Sequence, residues 1–144
     1  MPIGVEARTG MAYYQQRRVD GDFESVVERV EAEFAEEGFG ILCDIDVQAT
    51  FAEKLDVEDY PQHRILGACN PQMAKEGLDA EPDLGTLLPC NVVVYEDDGE
   101  VVLSAVEPAE LLSIVDNPAM EALAAEVRTR FSEALTRVVE AESA

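Results

Sequence analysis

Pro89-Cys-Asn-Val-Val-Val-Tyr-Glu-Asp-Asp-Gly-Glu-Val-Val-Leu-Ser-Ala-Val106 is the stretch that decides the fold. β-Branched and aromatic residues fill both halves, from Pro89 to Glu96 and from Val101 to Val106, and Asp97-Asp98-Gly99 separates them. Such side chains suit a pleated strand, and an Asp-Gly pair between two strands is the chemistry of a tight hairpin turn. Strands joined this way run antiparallel, so the sheet that holds them is antiparallel or mixed. Val92 and Val94 alternate with Val93 and Tyr95, which makes the first strand apolar on both faces. That pattern belongs to a strand covered twice. Helices of the same chain supply one cover, and a partner subunit is the expected source of the other.

Upstream of the hairpin, strands and helices alternate. Ala12 to Val19 reads as a strand closed by Asp20-Gly21. Phe23, Val26, Val27, Val30 and Phe34 then recur at helical spacing, with Asp22 placed to cap the start. Gly38 supplies the left-handed residue of a Schellman stop, which brings Phe39 back onto Phe34. Gly40 to Val47 is the next strand, with Ile41, Cys43, Ile45 and Val47 on its apolar face and Asp44 and Asp46 on the other. A short helix over about Thr50 to Leu55 leads to a strand from Gln62 to Cys69. Asn70-Pro71 has the grammar of a helix entry, cap followed by proline, for a helix to about Leu78, with an acidic loop from Asp79 to Asp83.

Downstream of the hairpin, Asn117-Pro118 opens a long helix in which Met120, Leu123, Ala124, Val127, Phe131, Leu135 and Val138 follow the 3.6-residue period. The expected architecture is therefore α+β, a two-layer sandwich with a mixed or antiparallel sheet and helices on one face. With 144 residues, one core is the expectation. We divide the chain into an extension over residues 1–10, a single domain over 11–139 and a polar tail over 140–144.

Charge sets the environment. Asp and Glu number 31 against 10 Lys and Arg, a formal net charge of -21. A nucleic-acid binder needs clustered cations to displace phosphate counterions, and anionic membranes repel the same surface, so neither is an expected partner. The 47% hydrophobic content separates this chain from a disordered acidic one. Lys54 and Lys75 are the only lysines, arginine fills the other basic positions, and the whole bias resembles that of extreme halophiles. No apolar run approaches the roughly 20 residues of a membrane span, and the N-terminus lacks the basic-then-apolar plan of a secretion signal. The expected location is cytoplasmic.

Four ordered segments carry a family resemblance: Gly38-Phe-Gly-Ile-Leu42, Asp46-Val-Gln-Ala-Thr50, Arg64-Ile-Leu-Gly-Ala-Cys-Asn-Pro71 and Leu87-Leu-Pro-Cys-Asn-Val-Val-Val-Tyr95. Together they resemble the domain-of-unknown-function 302 family, from about Met11 to Val139. The resemblance implies a small α+β domain similar to a TATA-binding-protein-like topology, and homodimers. It implies no activity, substrate or cofactor. The first ten residues, the acidic surface and Cys43 depart from the family pattern.

Cys69 stands at a strand end just before a helix start, where the partial positive charge of the helix favours a thiolate. Cys90 opens the most apolar strand and is its natural companion; both can instead be small buried hydrophobes. Cys43 is assigned to core packing. An odd count of three cysteines, with neither a Cys-x-x-Cys pair nor a zinc ribbon, argues against a disulfide framework. His63 lies six residues from Cys69 on one strand, roughly 20 Å away, so the pair forms no catalytic dyad. Lys54 is a candidate reactive amine or a plain Glu53-Lys54 surface pair. The Asp44 and Asp46 pair can hold a cation but arises easily by chance in so acidic a chain. No phosphate loop or nucleophile elbow is present.

Three function classes follow: a dimeric domain that binds a small ligand or partner near Cys69, Asn70, Cys90 and Lys54; a thiol enzyme or soft-metal handler using Cys69 and Cys90; and a structural assembly module. Self-repulsion of roughly twenty net charges is screened only when salt brings the Debye length to a few Å. Circular dichroism is expected to show the fold weakening as KCl falls from molar to millimolar. A melting curve unchanged across that range contradicts the expectation.

Overall fold

The computed structural model describes residues 12–143; the proposed extension over residues 1–10 lies outside them. Five strands form one sheet: β1 (Tyr14–Val19), β2 (Gly40–Asp46), β3 (His63–Cys69), β4 (Cys90–Asp97) and β5 (Glu100–Val106). Their spatial order is β1-β5-β4-β3-β2, and every neighbouring pair is antiparallel. The helices are α1 (Phe23–Glu36), α2 (Val47–Leu55), α3 (Pro71–Ala80), α4 (Pro108–Leu112) and α5 (Ala119–Ser143). The α+β sandwich with helices packed on one side is thus observed. Among the described residues no helix is long and apolar enough to cross a membrane.

The β4–β5 hairpin lies at the sheet centre. Asp98 and Gly99 adopt positive φ values of 55° and 81°, the backbone that a two-residue turn matched to strand twist requires. Register pairs Val92 with Ala105 and Val94 with Leu103, while Leu66 of β3 pairs with Val92. These side chains share the helix-covered face and are buried. Against them pack the predicted stripe of α1 and Val127, Phe131, Leu135 and Val138 of α5. Arg137 of α5 ties the two helices together, reaching Glu33 and Glu37 at 2.8 Å each.

The end of α1 follows the sequence reading closely. Asp22 caps its start, accepting from the Ser25 amide at 3.0 Å. At the other end Gly38 has φ 87°, its N–H donates to Ala35 O at 2.9 Å, and Phe39 N–H donates to Phe34 O at 2.9 Å. This is the Schellman pairing, and it returns the Phe39 ring to Phe34 edge-on at 6.4 Å. Phe131 completes the cluster at 5.1 Å from Phe34 and 4.9 Å from Phe39.

Several expectations are corrected. Cys43 is exposed, not in the core. A bulge between Ile41 and Cys43 inserts a residue into the edge strand β2, so Ile41 stays on the helix side with Ala68 while Cys43 faces the other way with Gly67. Asp44 and Asp46 keep a common face, but each carboxylate has a partner of its own: Asp44 accepts from Arg64 Nε at 2.8 Å, and Asp46 caps α2 at the Ala49 amide. The strand ends one residue early because that cap starts α2 at Val47. The acidic loop is replaced by the end of α3 and a 3-10 turn over Pro82–Leu87. Residues 140–143 continue α5 and form no separate tail. α4, started by Glu107 accepting from the Ala109 amide, had no periodic pattern long enough to read.

An alanine at position 38 must take a left-handed backbone, and its Cβ would stand 2.8 Å from the Asn70 side-chain nitrogen. Gly38→Ala is expected to cost about 1–2 kcal/mol from the backbone alone. Phe131→Ala is expected to cost about 3–5 kcal/mol through lost burial and a residual cavity. Urea denaturation in high salt measures both; wild-type midpoints for either variant refute the corresponding account.

Candidate functional site

β3 ends and β4 begins at the same end of the sheet, since Ala68 pairs with Cys90. The chain leaves β3 through Cys69 and turns at once into α3. Asn70 makes that turn possible: its Oδ1 accepts from the Met73 amide at 3.1 Å, and Pro71 occupies the first turn, where a missing N–H costs nothing. β4 is entered through Leu88 and Pro89. Between these two junctions, roofed by the 3-10 turn and by α5, lies a cleft lined by Cys69, Asn70, Met73, Pro89 and Cys90, with Phe39 in its wall.

Strict alternation along β3 assigns Cys69 to the face opposite Cys90. The strand stops at Cys69, however, and both residues line the one cleft. Both are half-buried free thiols. Burial pushes the Cys90 thiol up to about 11, and negative charge on Cys69 adds to the effect, so the two sulfurs sense each other. Cys90 is therefore a protonated thiol at neutral pH rather than a standing nucleophile. The cavity volume is only about 50 Å³. Pockets for drug-sized ligands run to about 300–1,000 Å³, whereas one water needs about 10–15 Å³, so this cleft accepts something the size of a few waters.

The other sequence candidates lie apart. Lys54 does not line the cleft; it is exposed on α2, with Glu53 at 3.9 Å. That is the surface-pair alternative. Asn70 lines the cleft, but its Oδ1 is engaged as the helix cap. His63 sits at the far end of β3, stacked on Tyr95 at 5.2 Å, and burial lowers its pKa. Hence no imidazole serves the cysteines. Among the described residues, no three His, Cys, Asp or Glu side chains gather into a cation site. Met73 and Phe39 are the site residues that sequence reasoning missed. The spacing Cys69-x-x-x-Met73 would have placed Met73 within one turn of the helix start, but methionine there reads equally as core.

The thiol shift has a direct kinetic consequence, since only the thiolate is alkylated. For Cys90, the iodoacetamide rate is expected to be slow at pH 8 and to rise nearly tenfold per pH unit until about 11. In Cys69→Ser the removed charge moves that profile to lower pH. Mass spectrometry of the labelled peptides reads both, and a plateau for Cys90 near pH 8 contradicts the burial argument.

Comparison with known proteins bears on the fold and family. The family model described as "Domain of unknown function DUF302" matches residues 15–138, from inside β1 to near the end of α5. No curated protein matches the chain. Among solved structures, it is similar to the "uncharacterized conserved protein DUF302 from Bacillus stearothermophilus", with a TM-score of 0.83 and 29% sequence identity. That likeness covers 89% of this chain and 99% of the other. A shared sheet-and-helix scaffold and a family match over most of the sequence lead to one conclusion: the chain belongs to the DUF302 family.

Proposed function

We propose that this domain is a binding protein without catalytic chemistry of its own, and that it takes a small ligand in the cleft at Cys69 and Cys90. One observation carries the reading: Cys69, Cys90 and Met73 all line a single small apolar cavity at the junction of β3, α3 and β4. The thiol-enzyme alternative loses ground because Cys90 is held protonated and the histidine stands at the other end of β3. We further assign the working form to a cytoplasmic two-fold dimer. In its support, Ile65, Val93 and Tyr95 line the sheet face away from α1 and α5 and are only partly covered, while Ile45 on the same face is exposed. Isologous dimers are the commonest assemblies of soluble chains.

Two measurements test these assignments. Amide NMR in high salt with a library of few-atom apolar and thiol-seeking fragments is expected to move the signals of Cys69, Met73 and Cys90. Shifts gathered around His63 and Tyr95 instead, or none anywhere, overturn the cleft reading. Sedimentation in the same buffer is expected to show twice the 15.7 kDa chain mass. A single-chain species removes the dimer and with it the assembly-module alternative.

A further inference from the structure

We propose that the cleft is a soft-metal site in which the sulfurs of Cys69, Cys90 and Met73 hold one Cu(I) ion. The proposal rests on the binding reading above and names its ligand class. Each donor has a separate structural origin. Cys69 is the last residue of β3, Cys90 the first of β4, and Met73 follows Cys69 by four residues in the first turn of α3. All three line the same cavity. Met73 is buried in the main core, and Cys90 packs against that core.

The chemistry of the wall selects the ion. Magnesium and calcium need six to eight oxygen ligands, and the Asn70 side-chain oxygen is already spent on the helix cap. Structural zinc takes four ligands in a tetrahedron, one more than the three sulfurs here. Thiolate and thioether donors favour Cu(I), whose filled d shell accepts two or three of them. A cavity of about 50 Å³ excludes a hydrated ion and suits one that has shed its water. On binding, each thiol releases its proton to solvent as its sulfur–copper bond forms, and the thioether coordinates unchanged. Two thiolates and one Cu(I) leave a single negative charge. It lies beside the N-terminus of α3, a ten-residue helix whose dipole favours an anion there.

The 31 acidic residues do not compete for such an ion, because hard carboxylate oxygen is a poor partner for Cu(I). The rival sulfur is Cys43, which is exposed and stands against Gly67 on the opposite side of the sheet. It supplies the control.

The experiment is anaerobic titration of the full, reduced chain with Cu(I) against bathocuproine disulfonate. The buffer is high in sulfate, since chloride itself binds Cu(I). One equivalent is expected to leave the chelator. Cys69→Ser and Cys90→Ala are each expected to weaken retention by roughly 100-fold, as one of only two thiolate donors is lost. Alanine is chosen at position 90 because a hydroxyl in that apolar wall threatens the fold. Met73→Leu conserves volume and is expected to weaken retention by about tenfold with an unchanged far-ultraviolet spectrum. Cys43→Ser is expected to bind like wild type. Loss of binding in Cys43→Ser, or full retention in both Cys69→Ser and Cys90→Ala, overturns the site. Failure of the wild-type chain to take up Cu(I), while fragments still shift the cleft signals, overturns the metal and leaves the ligand reading standing.

Discussion

The return of Phe39 onto Phe34 is the contact on which the rest of the structure depends. Gly38 allows it, since a left-handed residue is what turns the chain back at the end of α1. Phe131 of α5 seals the pair from the other side, and Arg130 donates to the freed Glu37 carbonyl at 3.0 Å. One cluster thus fixes the end of α1, the entry to β2 and the middle of α5. A side chain at position 38 would press on Asn70, the cap of α3, and Phe39 forms part of the cleft wall. Strain at Gly38 would therefore reach the thiols through two contacts, the Asn70 cap and the Phe39 ring.

Arginine is the second organising element, because cations are scarce. Arg18 crosses from β1 to Asp97 at 2.6 Å and Glu100 at 2.9 Å, locking the hairpin against the first strand. Arg64 binds Asp44 across β3 and β2 and touches Glu24 of α1, which holds the bulged edge strand to the sheet. That contact keeps the Asp44 carboxyl below its usual range, and the Arg64 guanidinium is raised in turn. A planar fork that pairs two acids at once is what a chain with ten cations and 31 acids can best use. Arg137 likewise pairs two acids, Glu33 and Glu37, while Arg128 and Arg130 each take one, Glu107 and Glu126.

The cleft differs in kind from the surface around it. Its wall is apolar, its volume is that of a few waters, and its polar groups are mostly committed: the amide of Asn70 to capping, the Cys90 thiol to its proton. Such a wall presents sulfur and shape and has little hydrogen bonding to offer. The open depression at the opposite end of β3, about 730 Å³ around His63 and Tyr95, has the reverse character, with Glu96, Asp97 and Asp98 in its rim.

The sequence by itself determined what depends on near neighbours along the chain. The hairpin at Asp98-Gly99, the caps at Asp22 and Asn70, the stop at Gly38 and the apolar stripes of α1 and α5 are all local, because backbone angles and helical period are set within a few residues. It also separated His63 from Cys69, since a regular strand has a known rise. Only the tertiary structure decided matters of neighbourhood. Strand order made β2 an edge, and the bulge there sent Cys43 outward against its alternation. The end of β3 released Cys69 from its face and brought it to the cavity of Cys90, while α3 carried in Met73. Alternation holds only where a strand continues between two neighbours; at an edge or an end, packing against other elements chooses the side.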